Sequence, residues 1–155
     1  KTKKESKTNI PLLLKISPDI KDNHIDEIID VALKNDISAI ILTNTTDSNR
    51  DNLTSADGRE EGGLSGEPLQ QISTNMIKKF YKQLKGKIPI IGVGGVNSGK
   101  SAYEKILAGA SLLQLYTGFV YRGPSTAKEI KKELIEILKA EGISNIKDAI
   151  GKSVN

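Results

Sequence analysis

The chain has 155 residues, 37% hydrophobic and 27% charged, which is the composition of an ordinary folded domain rather than a disordered or fibrous one. Because it contains no cysteine and no run of about 18 apolar residues, disulfides and thiolate metal sites are excluded, and we expect a soluble chain without a transmembrane segment. The formal net charge of +4 comes largely from scattered lysines and from the basic residues 1–10, which we interpret as a linker rather than a nucleic-acid patch because no aromatic residues are interleaved to stack bases.

Short apolar runs alternate with helical patterns along the rest of the chain. Runs rich in Ile, Leu and Val predict strands buried on both faces at residues 12–16, 39–43, 90–93 and 112–116. Apolar residues at helical spacing predict a helix after Asp22 or Asn23, either of which is placed to cap it, and further helices after Ser73, after Ser98, near Ser125 and over 146–150. This βαβαβαβα order predicts an α/β fold with a parallel sheet, although four strands cannot close a barrel.

One interval interrupts the alternation of strands and helices. Residues 45–67 show no apolar period and end in the glycine-rich sequence Gly62-Gly63-Leu64-Ser65-Gly66. A loop of this length within a compact unit is usually functional or disordered. Because it leaves the carboxyl end of a predicted strand, where α/β proteins bind ligands, we interpret it as a mobile lid or an active-site loop.

The segment after the third predicted strand carries the strongest functional signal. Gly94 and Gly95 follow that strand, and their backbone N–H groups can approach an anion without obstruction from a Cβ atom. We predict that the helix beginning at Ser98 points its positive end at the same place. The glycines lack the spacing of a dinucleotide fingerprint, and no P-loop lysine follows them. The sequence therefore predicts a site for the phosphate of a mononucleotide-like cofactor or substrate.

Polar side chains follow the first two predicted strands. Lys15 lies between apolar neighbours that would bury its stem, so it either stabilises negative charge on a bound ring or enolate, snorkels to solvent, or pairs with Asp19. The run Thr43-Asn44-Thr45-Thr46 offers donors and acceptors to a polar planar ligand, or forms a turn-prone strand end. We expect His24, the one histidine, on the surface, and we predict no metal site.

Taken together, these motifs resemble the dihydroorotate dehydrogenases, and most closely the quinone-dependent, membrane-associated class. The similarity extends from Pro11 onward and includes five segments in the order and spacing of that family, namely Lys15-Ile16-Ser17-Pro18-Asp19, Thr43-Asn44-Thr45-Thr46, Gly62-Gly63-Leu64-Ser65-Gly66-Glu67-Pro68-Leu69, Ile90-Ile91-Gly92-Val93-Gly94-Gly95 and Gly109-Ala110-Ser111-Leu112-Leu113-Gln114-Leu115-Tyr116-Thr117. It implies a (β/α)8 fold of the TIM-barrel type, with residues 11–155 as the carboxyl-terminal half of an FMN-binding barrel and only strands five to eight in this chain.

The resemblance also implies roles for eight residues and an activity. The family's matching residues contact FMN at Lys15, Thr43, Gly66 and Gly95, hold its phosphate at Tyr116 and Thr117, and bind dihydroorotate or orotate at Asn44 and Thr45. The implied reaction oxidises dihydroorotate to orotate through FMN, with quinone as the final acceptor, in de novo pyrimidine (UMP) biosynthesis. The family's catalytic base is a serine of the first half-barrel, so the resemblance implies no catalytic base here and an inactive chain on its own.

Two other interpretations remain open at this point. The chain could be a non-catalytic FMN- or phosphate-binding half-barrel module that self-associates to close its sheet, or another phosphate-binding barrel enzyme of flavin or sugar metabolism. In the chain alone, the predicted outer strands at 12–16 and 112–116 would expose unpaired edges. We therefore expect its partner to be either the missing amino-terminal half-barrel or a second copy of itself.

Overall fold

The computed structural model describes residues 10–48, 50–51 and 53–154, so most of the predicted basic linker lies outside the described residues. The strands are β1 (Leu13–Ile16), β2 (Ala39–Leu42), β3 (Ile90–Val93) and β4 (Ala110–Gln114). The helices are α1 (Ile25–Lys34), α2 (Gln70–Leu84), α3 (Gly99–Leu107), α4 (Thr117–Arg122) and α5 (Thr126–Ala140). Short 3₁₀ turns occur at Asp22–His24, Ala56–Arg59, Glu67–Leu69 and Ile146–Ala149.

The four strands form one parallel sheet in the order β1-β2-β3-β4. Each strand therefore lies next to the strand that follows it in sequence, as in a strip cut from a (β/α)8 barrel. Ile41 is the register partner of both Lys15 and Ile91, and the register shifts by one residue where β3 meets β4. The predicted α/β class and parallel sheet are confirmed, and β1 and β4 form the two edges of the sheet.

One face of the sheet is covered by helices. Ile40, Leu42 and Ile90 form a buried cluster with apolar residues of α1 and α2, including Phe80. A second cluster joins α3 and α5 to the carboxyl-terminal segment near Ala149. Burying a side chain the size of leucine or phenylalanine stabilises a fold by roughly 1.5–3 kcal/mol, so these clusters hold the sheet and helices together.

The opposite face of the sheet is largely open. Leu13, Lys15 and Gln114 are exposed there, and Leu112 is 62% exposed. In a closed barrel, side chains on this face would fill the interior in layers. The prediction that all four strands are buried on both faces is therefore wrong for β1 and β4. For the same reason, Lys15 does not have the buried stem that its apolar neighbours suggest.

Several helix ends differ from their predicted positions. α1 begins at Ile25 after a 3₁₀ turn, and its N-cap is His24, which makes no capping side-chain bond, so the predicted cap at Asp22 or Asn23 is wrong. α2 begins at Gln70, one turn before Ser73. The starts of α3 and α5 and the short helix at Ile146–Ala149 lie close to their predicted positions.

The sequence did not predict the short helix α4. Its aromatic and β-branched residues, among them Phe119, Val120 and Tyr121, are weak helix formers, so this segment resembles the end of a strand. The helix ends at Gly123, which has φ +81°, directly before Pro124. None of the helices in the described residues is long and apolar enough to cross a bilayer.

Candidate functional site

The polar segments that follow the strands meet at the carboxyl edge of the sheet. The Asn44 N–H donates to the Ile16 carbonyl at 2.8 Å, and the Thr43 N–H donates to the Val93 carbonyl at 3.1 Å. These bonds continue the strand pairing beyond β1, β2 and β3. The segment after β2 is therefore held between the carboxyl ends of β1 and β3, at the edge where parallel α/β folds bind ligands.

The turn after β3 is built from backbone alone. Gly94 and Gly95 have φ values of +113° and +71° and are buried. A Cβ atom at Gly95 would lie 2.4 Å from the Cβ and 2.7 Å from the Cα of Gln70, and one at Gly94 would lie 3.0 Å from the Cβ of Ser73. Both glycines therefore pack directly on the first turns of α2. No side chain fits at Gly95, which is a predicted cofactor residue.

The glycine-rich loop and the start of α4 meet beside this turn. The Ser65 and Thr117 hydroxyls lie 2.8 Å apart, and a Cβ atom at Gly66 would lie 3.0 Å from Cγ2 of Thr117. A Cβ atom at Gly118 would lie 2.5 Å from the carbonyl oxygen of Val96, which follows the β3 turn directly. The structure thus brings Gly66, Gly95 and Thr117 together, with the exposed Tyr116 next to them.

Donors at the positive end of α3 are bonded to protein side chains, which does not support the predicted use of this end by a phosphate. The Gly99 N–H donates to the Glu133 carboxylate of α5, and the Ser101 N–H donates to the Ser98 hydroxyl at 3.2 Å. The Gly99 and Ser101 donors of the first turn are therefore already bonded within the protein. The short helix in the position that barrels commonly use beside a phosphate is α4, which begins at Thr117.

The predicted substrate-binding residues follow β2. Asn44 and Thr45 are exposed, and the Asn44 Oδ1 accepts a bond from the Thr45 N–H at 3.0 Å. Thr43 is 2% exposed, and its hydroxyl donates to the Asn44 carbonyl at 2.9 Å. A Cβ atom at Gly63 would lie 1.9 Å from Oγ1 of Thr45, so the glycine-rich loop passes directly over that threonine. The amide of Asn44 and the exposed Lys15 lie at the same edge of the sheet.

The loop between β2 and α2 is closed at its base. Thr46 and Leu64 form an antiparallel bridge, with N–H to carbonyl distances of 3.1 and 2.7 Å. The Arg50 guanidinium donates to three carbonyls of the same loop, those of Gly58, Glu60 and Gly62. The described part of this loop is therefore folded back on itself. Its role as a lid or an active-site loop remains a prediction.

Asp19 attaches this loop to the segment that follows β1. Its carboxylate accepts the Thr46 hydroxyl at 2.5 Å and the Asp47 N–H at 3.0 Å. Both carboxylate oxygens are thus bonded to the base of the loop, which supports a structural role for Asp19 rather than the pairing with Lys15. His24 is exposed, as predicted, and no group of three or more His, Cys, Asp or Glu side chains that could hold a metal ion occurs among the described residues.

A family model described as "Dihydroorotate dehydrogenase" matches residues 1–138. The chain belongs to the dihydroorotate dehydrogenase family. It is 48% identical over 142 residues to the mitochondrial dihydroorotate dehydrogenase (quinone) of Arabidopsis thaliana, covering 91% of this chain and 31% of that protein. It is 47% identical over 140 residues to the mitochondrial dihydroorotate dehydrogenase (quinone) of Mus musculus, covering 90% of this chain and 35% of the relative. The resemblance inferred from the motifs is confirmed.

Solved structures agree with this assignment to the dihydroorotate dehydrogenase family. Ligand-free Eimeria tenella DHODH matches with a TM-score of 0.88 and 44% identity, over 91% of this chain and 39% of that one. The same enzyme in complex with ferulenol matches with a TM-score of 0.89 and 42% identity, over 96% of this chain and 39% of that one. The TIM-barrel type of the fold is confirmed, and the chain spans well under half the length of these relatives.

Sequence reasoning missed one buried group next to the site of this dihydroorotate dehydrogenase family member. Lys105 of α3 is 0% exposed, and its ammonium donates to the Ser73 and Thr74 hydroxyls at 3.1 Å each and to the Gln70 carbonyl at 3.3 Å. Burial lowers the pKa of Lys105 to about 8 because the ammonium loses its hydration, an effect that Glu104 partly opposes. The sequence does contain one signal for this burial, because Lys105 lies between Ala102 and Ile106, two buried residues of the same helix.

Proposed function

We propose that residues 11–155 form strands five to eight of the barrel of a dihydroorotate dehydrogenase (quinone), an FMN-dependent enzyme that oxidises dihydroorotate to orotate in pyrimidine biosynthesis. The observation that carries the proposal is the convergence of Gly66, Gly95 and Thr117 on one corner, where the glycine-rich loop, the β3 turn and the start of α4 meet. A turn of glycines with positive φ at such a corner suits a phosphate, because it can present backbone N–H groups to an anion. Family membership supports the proposed reaction, and the corner supports a phosphate-bearing cofactor.

We assign a role to each proposed site residue. Gly66, Gly95, Tyr116 and Thr117 would hold the phosphate end of FMN, Thr43 and Lys15 would contact its flavin ring, and Asn44 and Thr45 would orient dihydroorotate. FMN, when bound, supplies the electron acceptor for substrate oxidation. The Lys15 ammonium would stabilise negative charge that develops on the ring. We place the base that removes the substrate proton on the first half-barrel, outside the strands of this chain.

The partner that we propose for the open sheet face is the other half of the barrel. Among the described residues, no strand pairs with the outer edge of β1 or of β4, and Leu112 on the uncovered face is 62% exposed. Exposed edges and apolar patches of this kind are association sites. Because the chain covers 31% and 42% of two relatives, the remaining length is sufficient for the missing strands. We further propose that quinone is the final acceptor and that the assembled enzyme associates with a membrane.

An FMN titration tests this function. Flavin fluorescence is followed while light scattering reports the oligomeric state, first for the chain alone and then for the chain assembled with an amino-terminal half-barrel. We expect stoichiometric FMN binding, and turnover of dihydroorotate with a quinone, only in the assembled protein. A symmetric dimer of the chain that binds FMN, and an assembled protein that does not turn over dihydroorotate, would instead support the non-catalytic half-barrel module.

Replacing Asn44 by alanine is expected to weaken orotate binding by about 10- to 100-fold, because the bound ring would lose hydrogen bonds to the amide. FMN affinity should change little, since the bond from the Asn44 N–H to the Ile16 carbonyl is made by the backbone and survives the substitution. Orotate titration of the assembled, FMN-loaded enzyme measures the first property, and FMN titration of the assembled apoenzyme measures the second.

The matched control for this substitution is Asn75→Ala. Asn75 is an exposed asparagine of α2, and its side chain bonds to Gln71 within the same helix. Its replacement should leave orotate affinity unchanged. Equal orotate affinities in wild type and in the Asn44 variant would remove Asn44 from the substrate site.

A further inference from the structure

The buried ammonium of Lys105 lies one layer behind the β3 turn. Two of its partners contact that turn from the other side: the carbon atoms of Gln70 would touch a Cβ atom at Gly95, and those of Ser73 would touch one at Gly94. The Ser73 hydroxyl also donates to the Val93 carbonyl at 2.5 Å, at the carboxyl end of β3. A chain of contacts therefore runs from the ammonium, through α2, to the backbone of the turn.

The charge of Lys105 is not neutralised by an ion pair. Its hydrogen-bond partners among the described residues are neutral: two hydroxyls and one carbonyl. Glu104, on the same helix, uses its Oε2 to accept the Gln70 side-chain amide at 2.9 Å. Facing α3 from α5, the Glu133 carboxylate binds the Gly99 N–H and the Arg122 guanidinium. Buried charges are costly unless an opposite charge compensates them, so this site favours a nearby anion.

We propose that Lys105 is a positioning residue for the phosphate site, which holds the β3 turn through Ser73 and Gln70 and favours an anion on that turn. This inference rests on the proposed function. It states that binding of the phosphate of FMN depends on Lys105, whereas binding of the flavin ring does not. One fixed charge acting across a layer of side chains changes anion affinity by about tenfold. Lys105 does not itself contact the ligand in this arrangement.

The experiment compares FMN with riboflavin, which has the same ring system without the phosphate. Apoenzyme is prepared from the assembled protein as wild type and as Lys105→Met, which keeps the stem and removes the charge. The Ser73 and Thr74 hydroxyls keep their own acceptors, the Val93 and Gln70 carbonyls, so we expect the variant to fold. Lys100→Met is the matched control, since Lys100 is an exposed lysine of the same helix.

We expect Lys105→Met to weaken FMN binding about tenfold with riboflavin affinity unchanged, and Lys100→Met to change neither. Equal weakening of both ligands would mean that Lys105 only stabilises the fold, and unchanged affinity for both ligands would mean that its charge does not act on the phosphate. Either result overturns this inference and leaves the proposed function intact. Wild type that binds neither ligand would overturn the proposed function as well.

A second measurement uses wild type alone and applies even where Lys105→Met does not fold. As the pH rises from 7 to 10, Lys105 loses its proton with a pKa of about 8, whereas a phosphate monoester is already a dianion above pH 7. The ratio of FMN to riboflavin affinity should therefore fall about tenfold, and ionisation of the shared ring cancels in that ratio. A ratio that stays constant over this range contradicts the inference.

Discussion

Gly95→Ala is expected to abolish FMN binding and to lower the free energy of unfolding by at least about 3 kcal/mol. The new methyl group would lie 2.4 Å from the Cβ and 2.7 Å from the Cα of Gln70, and the φ of +71° is itself unfavourable for alanine. Backbone atoms of α2 cannot rotate away as a flexible side chain would. Relief would require the turn to move off the helix, and the phosphate site would move with it.

The matched control is Gly86→Ala, because Gly86 has a similar φ of +79° but no atom within 4 Å of the position that a methyl group would take. The free energy of unfolding of that variant should fall only by the strain of the left-handed conformation, about 1–2 kcal/mol, and the variant should bind FMN normally. Urea unfolding of both variants, with flavin titration of the assembled enzyme, separates the two contributions. Equal losses of stability in the two variants would show that contact with α2 is not the reason for glycine at position 95.

The elements that could be predicted from sequence are those whose cause is local. The strands β2 and β3 follow from continuous apolar runs, and α1 and α2 follow from apolar residues at helical spacing. The positive φ values of Gly94 and Gly95 are a local reason for glycine in the same sense, whereas the contact of Gly95 with Gln70 is not visible in the local sequence. These features are the basis on which the sequence predicts a phosphate site at the carboxyl edge of the sheet.

The features that sequence reasoning missed depend on residues far apart in the chain. The positive end of α3 was assigned to the phosphate because nothing near Ser98 indicates that Glu133, 34 residues from Gly99, would bond to it. Lys105 was overlooked in the same way, because its partners lie on α2, 31 to 35 residues earlier. Both are side-chain contacts between helices, and the spacing of residues within one helix carries no information about them.

The prediction that the outer strands are buried on both faces was wrong for a different reason. An apolar run shows that a strand has two faces suited to burial, but not whether something covers each of them. In β1 the helix side is covered at Ile16, whereas Leu13 and Lys15 remain exposed on the other side. The apolar run of β1 thus fits a strand in a closed barrel. Leu13 and Lys15 are exposed because this chain contains only half of such a barrel.

Lys15→Met is expected to lower the rate at which dihydroorotate reduces the flavin by about 10²–10³-fold in the assembled enzyme. Methionine keeps the length of the stem, so the change removes the cation and little else. Stopped-flow measurement of flavin absorbance reports this rate separately from reoxidation by quinone. Lys82→Met, at an exposed lysine of α2, should leave the rate unchanged. An unchanged rate in the Lys15 variant would show that its charge is not used in the chemical step.

The size of this effect should depend on what covers the open sheet face. A cation that faces bulk water is screened, whereas the same cation inside a closed barrel interacts several-fold more strongly with a developing negative charge. Because Lys15 is exposed in this chain, Lys15→Met should leave the free energy of unfolding of the chain alone within about 0.5 kcal/mol of wild type. If Lys15→Met leaves the stability of the half-barrel unchanged but strongly lowers the rate of flavin reduction in the assembled enzyme, Lys15 acts in the interior that the two halves form together.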